Sequence, residues 1–184
     1  MNKKIKVYID SNLIFCPNKI CNLDAKEAKA FEKILDNYMK YITLVTSEKT
    51  KEELEKISNV QGRCYTKFIY YLLSKVPKAN LEIIRCSFGN ISFGESVFGG
   101  SIREEDELYK ELKKIFKNND DAEHIFHAEK NKLDYFLTLD KRTILNKRND
   151  DKFKHLNLRI RLVSPSELLD EIKKYSQLKN QKTK

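Results

Sequence analysis

Asp10, Glu53, Asp121 and Asp140 stand far apart in the chain, each in a setting that could aim a carboxylate. Asp10 closes IKVYID, Glu53 lies in SEKTKEEL, Asp121 opens the segment before EHIFHA, and Asp140 closes YFLTLD. Brought together, they would form a strongly anionic pocket. Two carboxylates about 4 Å apart repel by roughly 4 kcal/mol at an effective dielectric near 20, so such a cluster must bind a cation or take up protons. Hard oxygen ligands favour magnesium or manganese, and in a basic chain that combination points to phosphodiester chemistry. Singly, each residue also has an ordinary reading. A strand-end Asp commonly caps a loop, an Asp at a helix start complements the helix dipole, and Glu53 lies between Glu52 and Glu55 on a charged, solvated helix. Asp120 and Glu52 compete with their neighbours if the register is off by one.

Other polar residues gather around these positions. Asn12, two residues after Asp10, can hydrogen-bond a carboxylate or a metal-bound water. His124, one turn after Asp121, could orient that carboxylate or meet a phosphate, although an ordinary helix-surface histidine fits better. His127 and His155 have no constellation around them. Lys141, Arg142, Lys147, Arg148, Lys152 and Lys154 follow Asp140 closely, as a guide for a phosphate backbone or as a solvated basic loop.

The elements that must position these residues follow from periodicity. Ile5, Val7 and Ile9 alternate with Lys6 and Tyr8, which predicts a strand delivering Asp10 at its C-terminal end, the end where sites collect in open parallel sheets. A helix is expected from near Asp24, burying Ala28, Phe31, Ile34, Leu35 and Tyr38. YITLVT reads as the second strand, with Ser47 as hydroxyl N-cap of a helix through Ile57. Residues 63–75 read as a well-buried helix ended by Pro77, and LEIIRC as a strand. Phe-Gly recurs at 88, 93 and 98 in a Gly-rich stretch expected to be a mobile loop or weak hairpin. Its Phe side chains either stack on bases or pin the loop to the body. Helices are expected over Arg103–Phe116 and from Asp121 to about Asn131. YFLTL, apolar throughout, is expected at the sheet centre. IRLVSPSELLDEIKKY predicts a last strand, a Ser-Pro helix start and a final helix. Strands separated by helices indicate an α/β sandwich with a mainly parallel sheet.

Size and charge set the frame. The 184 residues fit a single domain over 1–175 with a basic, frayed tail over 176–184. Charged residues make up 34% of the chain, above the roughly 25% usual for such domains. The net charge of +9 suits a polyanionic partner. No apolar run reaches the roughly 18 residues of a membrane span, and no signal-peptide core is evident, so a cytoplasmic location is expected. Cys16, Cys21, Cys64 and Cys86 lack paired zinc-site spacing and read as reduced thiols.

Taken in order, these segments resemble the PIN-domain nucleases, the family that includes the toxin halves of VapBC-type toxin–antitoxin pairs. The match runs through Asp10 with Asn12, Ser47 with Glu53 and Leu54, the DAxxxxxA pattern from Asp121 to Ala128, TxDKR from Thr138 to Arg142, and the closing VSPSELL. The resemblance implies a three-layer α/β/α sandwich and an acidic quartet of Asp10, Glu53, Asp121 and Asp140 holding one or two Mg2+ or Mn2+ ions. Asn12 and Thr138 would support the ligands, while Lys141, Arg142 and His124 are candidate substrate contacts from their own positions in the chain. It further implies hydrolysis of RNA to 5′-phosphate and 3′-hydroxyl ends. RNA is the expected partner, with an antitoxin protein and a second copy of the chain as candidates. A catalytically weak RNA-binding or assembly module on the same fold is the alternative. Phosphatases that attack with a strand-end Asp fit poorly, because they want a second Asp where Asn12 stands.

Overall fold

The fold is described here from a computed structural model, which defines residues 4–14, 24–85 and 102–182. Strand β1 (Ile5–Ile9) leads through Asp10 into a single helical turn, α1 (Ser11–Ile14). Helix α2 (Ala25–Asn37), strand β2 (Ile42–Ser47) and helices α3 (Glu48–Glu55) and α4 (Val60–Leu72) follow. Next come the short strands β3 (Ser74–Val76), β4 (Glu82–Arg85) and β5 (Ile102–Glu105), then helices α5 (Glu107–Ile115) and α6 (Asn119–Lys130). Strand β6 (Tyr135–Leu137), a 3-10 turn over Leu145–Asn149, helix α7 (Asp151–His155), strand β7 (Arg161–Val163) and helix α8 (Pro165–Lys182) complete the order.

Five strands form one sheet in the order β3-β2-β1-β6-β7, every neighbouring pair parallel. Because the sheet is parallel, all its strands end at the same edge. The register Ile9↔Leu137 and Leu137↔Val163 aligns the ends of β1, β6 and β7. Helices cover both faces. Ile5, Val7, Ile9, Ile42, Leu44, Leu137 and Val163 meet α2, α8 and Leu54 of α3 on one side. Tyr8, Val45, Phe136 and Leu162 meet α5 and α6 on the other. This is the α/β sandwich with a parallel sheet that the alternation of elements predicts. No helix among the described residues is long and apolar enough to cross a membrane.

Several expectations give way to tertiary context. The sheet centre is β1 and not the YFLTL segment, whose strand spans only Tyr135–Leu137. Tyr8, which alternates with Ile5, Val7 and Ile9, is buried as they are, because a central parallel strand has helices over both faces. Helix α2 turns Glu27, Ala30 and Ile34 inward and leaves Leu35 exposed. Glu27 faces in because it takes hydrogen bonds from the Ser166 amide (2.8 Å) and hydroxyl (2.9 Å), tying α2 to the start of α8. Helix α4 buries only Thr66 and Tyr70 and leaves Val60, Tyr65, Phe68, Tyr71 and Leu72 exposed. It is therefore not the buried helix its apolar spacing suggests, and it gives way to β3 before Pro77 is reached.

The helix expected from Arg103 begins at Glu107, capped by the Asp106 side chain, because β5 pairs with β4 in an antiparallel ribbon. Helix α6 starts two residues before Asp121, at Asn119, with the Asn118 side chain as its cap. Helix α8 runs on through Lys182, where fraying is expected past residue 175. The Phe-Gly stretch, Cys16, Cys21 and Cys86 lie outside the described residues.

These placements predict different costs for two large apolar side chains on neighbouring helices. Leu54 is 0% exposed and Phe68 is 62% exposed. In urea-unfolding measurements Leu54→Ala should cost roughly 2–5 kcal/mol, and Phe68→Ala should stay within about 0.5 kcal/mol. Equal costs would contradict the packing of α3 and α4.

Candidate functional site

Backbone bonds carry the parallel register past the strand ends. The Asp10 amide donates to the Leu137 carbonyl (3.0 Å) and the Thr138 amide to the Val163 carbonyl (3.1 Å), which sets Asp10 beside Thr138 at the C-terminal edge. Asp10 is buried. Thr138 donates its hydroxyl to Asp10 Oδ2 (2.6 Å), and Ser11 donates to Oδ1 (3.3 Å). Asn12 donates through Nδ2 to Thr138 Oγ1 (2.9 Å) and accepts from the Leu139 amide (3.4 Å). Asn12 therefore acts on Asp10 through Thr138. The same Thr138 oxygen also accepts from the Asp140 amide (3.0 Å), so one hydroxyl couples the two acidic segments.

Asp140 lies three residues past β6, immediately before the turn over 141–144, and not at the strand end. The Thr143 amide donates to Asp140 Oδ1 (2.7 Å), and the Thr143 hydroxyl lies 2.7 Å from Asp140 Oδ2 and 3.2 Å from Asp121 Oδ2. Thr143 thus bridges two of the carboxylates. Its signal is legible in the D-x-x-T spacing, in which an Asp side chain receives the amide three residues on, but sequence reasoning missed it. Asn118 contributes a longer bond to Asp121 Oδ1 (3.4 Å) from the helix cap.

Glu53 comes to this edge from α3 and is met by His124 of α6, with Nε2 to Oε1 at 2.9 Å. His124 is not a surface residue open to phosphate. It is 2% exposed, and its Nδ1 sits 2.7 Å from the Tyr8 hydroxyl. That hydroxyl is in turn 2.7 Å from Ser47 Oγ. Ser47 holds the N-cap position of α3 but gives it no side-chain cap, because its hydroxyl is bonded to Tyr8 instead. Tyr8 carried no functional signal in the sequence, and Ser47 carried one only through its spacing to Glu53 and Leu54.

The competitors for register are turned elsewhere. Asp120 pairs with Lys49 (2.8 Å) and Glu52 with Lys78 (2.8 Å). Lys49 is buried and also meets Glu123 (2.9 Å). Glu123 lies 3.3 Å from His127 Nε2, whose Nδ1 accepts from the Ala79 amide (3.0 Å). His127 therefore has a constellation after all, one that ties α6 to α3 and to the segment before β4. Of the basic run, Lys141 and Arg142 are exposed beside Asp140, with Lys141 3.5 Å from Asp24. Arg148 is committed to Glu167 (2.8 Å) and to the carbonyls of Leu145 and Leu162, and so supports the fold.

Electrostatics marks the acidic edge. Burial raises Asp10 above its ordinary value against the His124 charge and the Thr138 bond, and the Glu53 charge adds to the rise. Burial, then the charges of Asp10 and Asp140, push Asp121 up to about 6. Burial would also raise Glu53, but the His124 hydrogen bond and charge, with help from Ser11, hold it below the ordinary value. Burial opposes a charged His124, yet Tyr8, Glu53 and Asp10 together raise it well above its ordinary value. The cluster therefore has oxygen donors of the type that suit Mg2+ or Mn2+. Among the described residues, no three His, Cys, Asp or Glu side chains already stand as a metal-ligating group; the carboxylates are bonded to Thr138, Ser11, Thr143 and His124. A cavity of about 460 Å3 near β7 and α8 lies apart from this edge, and its Arg148–Glu167 and Arg161–Glu171 charges are paired with one another.

Asp121 gives a pH prediction for the metal-free protein. Its folded value of about 6 exceeds its ordinary 3.8, so the native state holds the extra proton between those values. Its contribution to stability therefore falls as pH rises from about 4 to about 6 and is a penalty above that range. In EDTA, Asp121→Asn should raise stability at pH 7.5 by about 1–2 kcal/mol, less than the roughly 3 kcal/mol of the full shift because solvent screens this partly exposed carboxyl, and change it little at pH 4. Destabilisation at pH 7.5 in thermal or urea unfolding would contradict this crowding of charge.

Comparison with known proteins adds one distant likeness. No family model and no curated protein matches the chain. A chain from the crystal structure of VapBC2 from Rickettsia felis bound to a DNA fragment from their promoter is 16% identical over 86% of this chain and 98% of its own, with a TM-score of 0.45. That superposition is too loose to carry an argument about the site.

Proposed function

We propose that the chain is a Mg2+- or Mn2+-dependent phosphodiesterase that hydrolyses RNA. The observation that carries this reading is the gathering of Asp10, Asp121 and Asp140 at one sheet edge, where the Thr143 hydroxyl bridges Asp140 (2.7 Å) and Asp121 (3.2 Å) and the Thr138 hydroxyl joins Asp10 (2.6 Å) to the Asp140 amide (3.0 Å). Repulsion among them is relieved by a divalent cation, which Asp10, Asp121 and Asp140 would hold, with Glu53 completing the set. When bound, the ion would lower the pKa of an attacking water and neutralise charge on the departing oxygen.

The chain's own residues divide the remaining work. Thr138 fixes one oxygen of Asp10, and Thr143 steadies Asp140 against Asp121. The exposed Lys141 and Arg142, next to Asp140, give a phosphate backbone cationic ground. The net charge of +9 supports the same class of partner, and the PIN-type motifs support RNA as the substrate.

A second reading, an RNA-binding module with negligible turnover, is favoured by one observation: no ready metal-ligating trio stands among the described residues. A single assay separates the two. Labelled single-stranded RNAs incubated with Mn2+ or Mg2+ should be cut to 5′-phosphate products, and EDTA should stop the reaction. Asp10→Asn and Asp140→Asn should each lower the rate by more than the roughly 10–100-fold typical of losing an outer partner of a metal ligand. Wild type cutting no better than Asp10→Asn, while still binding RNA with a salt slope of about −0.7 per phosphate contacted, would establish the second reading instead.

A further inference from the structure

Glu53 has the least local reason to be where it is. It sits on a short charged helix between Glu52 and Lys51 on one side and Glu55 on the other, all exposed. Yet it alone turns to the acidic edge, and the cause is a buried hydrogen-bonded chain that begins and ends on α3. Ser47 Oγ, at the start of that helix, meets the Tyr8 hydroxyl; the hydroxyl meets His124 Nδ1; His124 Nε2 meets Glu53 Oε1. One Tyr-His pair thus grips α3 at its N-cap and again six residues later. Tyr8, Ser47 and His124 are all buried, and the Tyr8 ring stacks on Phe136 at 5.2 Å and 8°. The pair is therefore held by the sheet itself. The arrangement takes precedence over a hydroxyl cap on α3.

The donor pattern closes in either protonation state of the imidazole. With a neutral ring, Ser47 donates to Tyr8, Tyr8 donates to Nδ1, and Nε2–H donates to Glu53. With a cationic ring, Nδ1–H donates to Tyr8 and Tyr8 donates to Ser47, while Nε2–H still faces Glu53. The orientation of the carboxylate does not depend on which holds. We propose that His124, anchored by Tyr8 and Ser47, is a positioning residue that sets Glu53 against the other carboxylates, and that divalent-cation affinity depends on it. His124 acts through Glu53 and has no exposed edge with which to touch substrate. This inference rests on the metal-site reading above.

The test is isothermal titration calorimetry of the purified full chain with Mn2+ alone, with far-UV circular dichroism melts to verify folding. His124→Ala should weaken Mn2+ binding by about 10–100-fold, the range seen when an outer partner of a ligand is removed. His124→Gln, whose amide can donate to the same carboxylate, should restore affinity to within about 3-fold of wild type. Tyr8→Phe keeps the stacked ring but loses the hydroxyl, and should fall between, at about 3–10-fold weaker. It also serves where His124→Ala fails to fold. Loss of binding in Asp10→Asn with wild-type binding in folded His124→Ala or Tyr8→Phe would overturn the positioning role and leave the metal site standing. Undiminished binding in Asp10→Asn would overturn the metal site, and the role of His124 with it. Equal loss in His124→Ala and His124→Gln would also overturn it, since the donor would then not be what matters.

Discussion

Charge crowding at one sheet edge is the constraint to which the rest of the structure answers. A parallel sheet sends every strand toward the same end, so side chains that follow different strands converge there whatever their separation in sequence. In this chain the residues that follow are acidic. Asp10 comes directly from the central strand, Asp140 from the segment after its neighbour, and Asp121 from the start of the helix packed above. Burial raises both Asp10 and Asp121, joined at Asp10 by the charge of Glu53 and at Asp121 by the charges of Asp10 and Asp140. Such a cluster opposes folding when left bare and serves a purpose when a cation fills it. That is the usual pattern of sites whose local cost is carried by the rest of the fold.

The surroundings of the cluster are arranged to tolerate it. Thr138 is shared between Asp10 and the Asp140 amide, Thr143 between Asp140 and Asp121, and the His124 imidazole is set against Glu53. Hydroxyls are well suited to this task because they can turn to follow whichever oxygen is occupied. Nearby, a second polar network through Lys49, Asp120, Glu123 and His127 locks α3 to α6. A buried lysine facing two carboxylates adds little net stability compared with apolar packing. Its effect is to fix how the two helices that carry Glu53 and Asp121 meet. Glu52 and Asp120, the close neighbours of the two candidate acids, are by the same network turned away from the edge.

Much of this was legible in the sequence where local signals suffice. Asp10 at the end of an alternating strand, the NNDD start of α6 and the Ser-Pro start of α8 all mark element ends by their own chemistry, and they are found within two residues of where they were expected. What escaped depends on distant partners. Tyr8 and His124 are 116 positions apart, and nothing in either neighbourhood announces the other. Ser47 was legible as a helix start but not as a residue whose hydroxyl is bonded elsewhere. His127 looked isolated because its partners, Glu123 and the Ala79 amide, include a backbone group, which no residue pattern reveals. Helix α4 shows the converse limit. Its apolar spacing is plain, but spacing says only that a face could be covered, and in the chain alone most of that face is exposed. The strand before α5 was hidden because IREE is short and charged, and pairs only with an equally short segment.

Everything proposed for this edge turns on its binding a divalent cation. The most direct measurement is the anomalous difference map of crystals soaked in Mn2+, collected near the manganese absorption edge. A peak is expected within coordination distance of Asp10, Asp121 and Asp140, with Glu53 still bonded to His124. A map with no peak at that edge, in crystals where manganese is bound elsewhere on the protein, would contradict it.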